Sequence, residues 1–156
     1  MDRLRRLFLQ GGATSTLLPL LGTGLLLPGR VLAADWNRNA FTARTLADAL
    51  KAQGSAAAAE TRDILISAPE IAENGAKVEV EITSNLANSR SIAVFAEKNP
   101  LPLCATLEFA GNALPFARIQ LKLAESTRVR AVVKTGDGKT WVASREVKVT
   151  LGGCGG

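Results

Sequence analysis

Histidine and tyrosine are absent from this sequence of 156 residues. Without an imidazole, the chain offers no histidine general base, no histidine metal ligand and no C-x-x-C-H site for haem attachment. Cysteine is scarce as well, because Cys104 and Cys154 are the only two and lie far apart. They form neither a C-x-x-C redox pair nor a four-ligand zinc set. The chain can therefore hold at most one internal disulfide, and we expect it to bind no metal ion and no cofactor.

Aromatic residues are also few, five Phe and two Trp, and the net charge of +5 is unevenly distributed. Residues 1–33 carry four arginines against one aspartate, which leaves a charge of only +2 for the rest of the chain. A nucleic-acid-binding protein would need a basic groove or an aromatic stacking surface. We therefore expect no nucleic-acid partner. The composition, 47% apolar and 21% charged, fits one globular domain.

The start of the chain has the pattern of a signal peptide. A basic segment at residues 1–10 precedes an apolar run at residues 17–27, which is shorter than the about 20 residues of a membrane span. The segment Arg5-Arg6-Leu7-Phe8-Leu9 resembles the twin-arginine (Tat) export motif. We expect residues 1–33 to be removed as a twin-arginine signal peptide, and the mature protein to be periplasmic and free of the membrane. An uncleaved membrane anchor is the alternative.

One amphipathic helix is predicted near the start of the mature chain. Within residues 41–53, apolar side chains recur at helical spacing at Ala43, Leu46, Ala47 and Leu50. Thr42 is the expected N-cap and Gly54 is placed to end the helix. Residues 34–60 are therefore predicted to form an N-terminal helical segment that packs against the rest of the domain.

Apolar residues recur with the period of a strand from residue 61 onward. Seven strands are predicted, at residues 62–67, 77–83, 90–96, 103–109, 116–123, 127–134 and 140–151. Turn residues separate them, among them Asn74-Gly75 and Gly136-Asp137-Gly138. Short strands at regular spacing, without intervening helices, predict a mainly β fold. We expect residues 61–151 to form an immunoglobulin-like antiparallel β-sandwich.

The last five residues, GGCGG, place a cysteine between glycine pairs. Glycine has no side chain, so residues 152–156 are predicted to form a flexible carrier arm that extends the Cys154 thiol about 10 Å beyond Leu151. An unpaired thiol in an oxidising compartment is a liability without a function. Covalent attachment of a sulfur-containing group to Cys154 is such a function, with Gly152, Gly153, Gly155 and Gly156 forming the arm. A glycine-rich end with an incidental cysteine is the alternative.

Three stretches of the chain resemble the SoxY family, the sulfur-carrying subunits of the periplasmic thiosulfate-oxidising Sox system. They are the tail at residues 147–156, the segment at residues 68–76 and the segment Lys98-Asn99-Pro100-Leu101-Pro102. The twin-arginine leader is also typical of the family. Glu79 stands where the family pattern leads us to expect proline, and Cys104 is an additional cysteine.

The resemblance implies that sulfur intermediates are conjugated to Cys154 and that the protein is not an enzyme. It also implies a heterodimer with a SoxZ-like β-sandwich subunit. The further partners it implies are a c-type cytochrome that joins thiosulfate to the thiol, a hydrolase that releases sulfate and a sulfane dehydrogenase.

Cys104 and two further function classes stay open at this stage. Alternation in the sequence places Cys104 on the same strand face as Thr106 and Glu108, as a half-buried thiol. A disulfide between Cys104 and Cys154 would block the carrier, so we expect it to be absent from the working protein. The alternatives to a carrier are an immunoglobulin-like binding or chaperone module and a thiol oxidoreductase.

Overall fold

Two short helices and nine strands make up the part of the chain that the computed structural model describes, residues 36–152. The helices are α1 (Arg38–Thr42) and α2 (Leu46–Ala52). The strands are β1 (Ala59–Glu60), β2 (Ile64–Ser67), β3 (Ile71–Asn74), β4 (Val78–Ser84), β5 (Ser89–Ala96), β6 (Leu103–Glu108), β7 (Phe116–Leu121), β8 (Thr127–Thr135) and β9 (Thr140–Leu151). The predicted signal peptide lies outside the described residues. Within residues 36–152, no helix is long and apolar enough to span a bilayer.

The strands form two sheets that enclose one core. The larger sheet has the order β1-β9-β8-β5-β6, with β3 also paired to β9, and the smaller sheet has the order β2-β4-β7. Alternation along β4 buries Val78, Val80 and Ile82 between the sheets and leaves Glu79 in solvent. All seven strands predicted from such alternation are present, so the predicted mainly β sandwich is confirmed.

Two strands were not expected from the sequence, and both run parallel to β9 rather than antiparallel. β1 pairs with the start of β9, and β3 pairs with its end through Ile71 and Lys148, Ala72 and Val149, and Asn74 and Leu151. Neither strand alternates, since β1 is exposed at both residues and β3 is exposed at all but Ala72. The sheet is therefore mixed at this edge, because the 12-residue β9 is long enough for β1 and β3 to pair one after the other along the edge that faces away from β8.

The predicted single helix over residues 41–53 is wrong, since the segment contains two helices. Thr42 is the last residue of α1 and not a cap, and Ala43 is extended. Thr45 is the N-cap of α2, where its side chain accepts a hydrogen bond from the backbone N–H of Asp48 at 3.1 Å. Gly54 ends the helix as predicted, in the left-handed conformation at φ +70° that favours glycine.

The two helices cover the outer face of the larger sheet. Ala40 of α1 and Ala49 of α2 are fully buried in a second apolar cluster, together with Phe95, Val132 and Val142 of the sheet. These side chains alternate with those that face the inter-sheet core, so the central strands β5 and β8 are apolar on both faces. The helical segment is therefore a third layer of the domain, as its predicted packing role requires.

Candidate functional site

The predicted carrier arm is described only at its first residue. Gly152 lies at the end of β9, whereas Gly153, Cys154, Gly155 and Gly156 lie outside the described residues. The site that the structure presents is therefore the surface from which the chain leaves the sandwich. Strand directions bring three connections to this end, and we call them the exit loops: residues 74–77, 97–102 and 122–126.

One edge of the end of β9 is held by β3 and the turn that follows it. The backbone N–H of Lys148 donates to the carbonyl of Glu70 at 2.9 Å, and the N–H of Gly75 donates to the carbonyl of Leu151 at 2.7 Å. The carbonyl of Gly75 in turn accepts from the N–H of Leu123 at 2.7 Å. Gly75 is buried and joins the last residue of β9 to the loop between β7 and β8. This edge is thus tied by backbone hydrogen bonds up to Leu151.

The opposite edge is held by Ser126. β8 begins at Thr127, opposite Val147, so the backbone beyond Val147 has no further partner in β8. The Ser126 hydroxyl replaces that partner: it accepts from the N–H of Val149 at 2.8 Å and donates to the carbonyl of Val149 at 3.4 Å. Both edges of the terminal strand are therefore occupied where the chain leaves the domain.

Gly152 itself lies against the backbone of Ala124. A Cβ atom added to Gly152 would overlap the Ala124 carbonyl oxygen, a contact too short for any real side chain. The sequence predicted that this glycine serves flexibility as the first residue of the arm. The structure adds a steric requirement, since the absence of a side chain at Gly152 permits a close backbone approach.

The ion pairs at the exit loops differ in their exposure. Lys98 Nζ lies 3.5 Å from Glu125 Oε1, with more than half of each side chain in solvent. An exposed pair of this kind contributes about 0–1 kcal/mol to stability. Glu97 pairs with the partly buried Arg130 and, at 3.9 Å, with Arg128. The backbone and side-chain hydrogen bonds described above therefore determine the shape of the exit.

Cys104 lies in β6, is half-buried and is a free thiol. The prediction that it shares a face with Thr106 and Glu108 is wrong. Its side chain packs against the core between the two sheets, as does Leu107. Thr106 faces the helices instead, where its hydroxyl accepts a hydrogen bond from Gln53 Nε2 at 3.4 Å.

A β-bulge explains why Cys104 is on the unexpected face. Val94 of β5 pairs with Ala105 of β6, but the next residue, Phe95, pairs with Leu103. Two steps along β6 therefore match one step along β5, and Cys104 is the extra residue. An extra residue reverses the alternation of faces on one side of it, which the sequence pattern of β6 did not indicate.

The environment of Cys104 keeps its thiol protonated at neutral pH. Burial raises the pKa of the Cys104 thiol, and hydrogen bonds to the backbone of Ala96 and the side chain of Asn99 offset this only in part. A thiol must lose its proton to act as a nucleophile. We therefore assign Cys104 as a structural thiol.

Metal-binding side chains do not cluster in the described part of the chain. Residues 36–152 contain no group of three or more His, Cys, Asp or Glu side chains that could hold a metal ion.

The sequence missed Ala124 and Ser126 as residues of the exit. No sequence pattern marks either residue, because Ala124 acts through its backbone carbonyl and Ser126 through a hydroxyl whose partner, Val149, is distant in the sequence. The Asn74-Gly75 turn and the segment at residues 98–102 did stand out, because they carry the family resemblance. Both belong to the exit loops.

Comparison with known proteins gives a family and a related structure. A family model described as "Sulfur oxidation protein SoxY" matches residues 49–154. The solved structure of the sulfur carrier protein SoxY from Chlorobium limicola f thiosulfatophilum is 34% identical, with a TM-score of 0.61. That alignment covers 69% of this chain and 97% of the other. A comparison with curated protein sequences gives no match.

The fold is also found in superoxide reductases. The superoxide reductase (neelaredoxin) from Ignicoccus hospitalis is 25% identical, with a TM-score of 0.50, and the alignment covers 57% of this chain and 81% of that one. A variant of the same protein is 24% identical at the same TM-score. These similarities are weaker than the one to the sulfur carrier protein, at lower identity and lower TM-score. The family match spans more than half of the sequence, and this chain therefore belongs to the SoxY family of sulfur oxidation proteins.

Proposed function

We propose that this protein carries the sulfur intermediates of thiosulfate oxidation as covalent adducts of the Cys154 thiol. Residues 152–156 present the adduct to partner enzymes, and the protein itself catalyses no step. The observation that carries the proposal is the family match, which runs to residue 154 and so includes Cys154.

The position of the two cysteines supports this assignment. The chain has only Cys104 and Cys154, and Cys104 is half-buried in a strand with a raised pKa. Cys154 follows two residues after Gly152, which is exposed at the end of the sandwich. The half-buried position of Cys104 therefore favours Cys154 as the site of attachment.

The proposed cycle balances when the partners supply the oxidants. The Cys154 thiolate forms an S–S bond with the outer sulfur of thiosulfate, and the two electrons released pass to a c-type cytochrome. Water then cleaves the bond to the terminal sulfone on a hydrolase, which releases sulfate and two protons and leaves a persulfide on Cys154. A sulfane dehydrogenase removes six electrons as that sulfur takes three oxygen atoms from water. A second hydrolysis releases sulfate and restores the thiol.

The partners and the compartment are part of the proposal. A chain without histidine must obtain its redox and hydrolytic chemistry from other proteins, which in the Sox system are the cytochrome, the hydrolase and the dehydrogenase. We propose a heterodimer with a SoxZ-like subunit. The twin-arginine motif at Arg5-Arg6 supports export to the periplasm.

Intact-protein mass spectrometry tests the proposal directly. The protein is purified from cells that are oxidising thiosulfate, and its C-terminal peptide is compared with and without reductant. We expect thiosulfonate and persulfide adducts on Cys154 that a reductant removes. The variant Cys104→Ser is the matched control and keeps the adducts, whereas Cys154→Ala loses both the adducts and thiosulfate oxidation.

Two other results would contradict the carrier. If Cys154 stays unmodified throughout turnover and Cys154→Ala oxidises thiosulfate at the normal rate, the protein is a binding or chaperone module of the sandwich. If Cys104→Ser abolishes activity and the protein exchanges disulfides with small dithiols, it is a thiol oxidoreductase.

A further inference from the structure

Asn99 ties the loop between β5 and β6 to the loop between β7 and β8. Its Nδ2 donates to the carbonyl of Lys122 at 2.7 Å, and its Oδ1 accepts from the N–H of Ala124 at 2.9 Å. The Sγ atom of Cys104 lies 3.9 Å from the same Nδ2. The Asn99 amide thus forms both a donor and an acceptor bond with the backbone of residues 122–124, as a residue of a neighbouring β-strand would.

The loop that carries Asn99 is itself held in place. The N–H of Asn99 donates to the carbonyl of Ala96 at 3.2 Å, and the N–H of Ala96 donates to the carbonyl of Pro102 at 2.9 Å. Pro102 is fully buried, although Leu101 beside it is about half exposed. Asn99 is therefore attached to the end of β5 and does not move with the solvent-exposed part of its loop.

Ala124 is held between Asn99 and Gly152. Asn99 binds its N–H, and its carbonyl oxygen is the atom that a Cβ at Gly152 would overlap. The preceding residue, Leu123, is fully buried and bonded to Gly75. On the following side, the Ser126 hydroxyl is bonded to the N–H of Val149. Residues on both sides of the Ala124 carbonyl are therefore tied, which restricts its withdrawal from Gly152.

We propose that Asn99 is a positioning residue for the carrier arm. Through Ala124 it fixes the backbone at Gly152, so the first glycine of the terminal motif is an anchor and only the residues after it carry the thiol. This inference rests on the proposed role of Cys154, and it gives the Lys98–Pro102 segment a role that the sequence did not reveal.

The anchor limits the reach of the thiol. The Cα atom of Cys154 is two residue steps from that of Gly152, which corresponds to at most about 7 Å. A partner that takes Cys154 into a narrow cleft must then come close to the exit loops. If Gly152 were free, the thiol would sample a larger volume and its effective concentration at the partner's site would fall.

Nitrogen-15 relaxation of the purified protein tests the anchor without reference to function. In the unmodified protein we expect Gly152 to have an order parameter near the about 0.85 of rigid backbone, and in Asn99→Ala a value below about 0.6. The matched control is Asn37→Ala, which removes a comparable pair of bonds, to the carbonyl of Ala52 and from the N–H of Ala40, at the helices. The inference is overturned if Gly152 is already mobile in the unmodified protein, or if Asn99→Ala leaves its order parameter unchanged.

A double-mutant cycle tests the same contact from the other side. Gly152→Ala forces a methyl group against the Ala124 carbonyl and should lower Tm. With Asn99→Ala present, Ala124 can move away, so the same substitution should lower Tm by less. Additive losses of Tm would contradict the proposed link.

The functional measurement separates this inference from the proposed function. With the partner cytochrome and thiosulfate, we expect Asn99→Ala to raise the KM for the carrier several-fold at unchanged kcat, and Asn37→Ala to leave KM unchanged. If the unmodified protein is never loaded at Cys154, the proposed function fails. If it is loaded and Asn99→Ala has the same KM and the same mobility at Gly152, only the positioning role fails.

Discussion

The Ser126 hydroxyl should determine whether the end of β9 stays hydrogen-bonded at Val149. In Ser126→Ala, the N–H of Val149 loses its acceptor at 2.8 Å and no other backbone group of β8 can replace it, since β8 begins at Thr127. An unpaired half-buried N–H costs about 1–3 kcal/mol, and the partial exposure here places the loss near about 1 kcal/mol. That loss lowers Tm by about 4 °C in a domain of this size.

Ser126→Ala should increase local opening at the end of β9 more than global unfolding of the domain. A loss of about 1 kcal/mol in the free energy of opening corresponds to about fivefold faster exchange. Hydrogen–deuterium exchange with mass spectrometry should therefore show faster exchange in the peptide that contains residues 148–152. Peptides from β5, which is central in the larger sheet, should keep their protection.

Two variants control this prediction. Ser126→Thr retains the hydroxyl and should exchange at the original rate. Ser144→Ala removes an exposed hydroxyl from β9, and this hydroxyl makes no hydrogen bond within the described residues. The reasoning is refuted if Ser126→Ala leaves the end of β9 protected, or if Ser144→Ala accelerates exchange there equally.

Three further predictions concern other parts of the domain. In a Cys154→Ala background, iodoacetamide at pH 8 should alkylate Cys104 slowly in the folded protein and much faster in urea, because burial raises the pKa of the Cys104 thiol. Equal rates would contradict the assignment of Cys104 as a structural thiol. Gly54→Ala should lower the free energy of unfolding by about 1 kcal/mol in urea titrations, because an L-residue is strained at φ +70°, and an unchanged midpoint would show that the helix end relaxes. Asp137 accepts a hydrogen bond from the Thr135 hydroxyl at 2.5 Å, and this bond, followed by those from Lys139, lowers the pKa of its carboxyl to about 2. The contribution of Asp137 to stability is therefore fully present above the ordinary carboxyl pKa of about 3.8 and is lost as pH falls towards about 2. Asp137→Asn should therefore flatten the acid end of the curve of Tm against pH. A curve that keeps its slope would refute the assignment.

The strands could be predicted because their residues alternate. Val78, Val80 and Ile82 are buried at every second position, which is a signal that each segment carries in its own sequence. Gly54 at the end of α2 is a local signal of the same kind. The break between the helices was missed, because the apolar spacing continues through Ala43 although the backbone there is extended and Thr45 begins a new helix.

The pairing of β3 with β9 could not be predicted from either strand. Of the four residues of β3 only Ala72 is buried, so no apolar pattern marks it. The strand forms by pairing with the edge of β9 that faces away from β8, which β1 occupies only at the start of β9. The bulge at Cys104 has the same origin, since it arises from the register between β5 and β6.

By itself, the sequence determined the seven alternating strands and the helix end at Gly54, and it marked the terminal cysteine among glycines as the residue to examine. These properties depend on residue types and on spacing within one segment. Only the tertiary structure decided which way Cys104 faces, that Ser126 occupies an edge of the terminal strand, and that Gly152 lies close to Ala124. Those features depend on contacts between segments far apart in the chain, and glycine in particular has the same appearance in a sequence whether it provides freedom or permits a close approach.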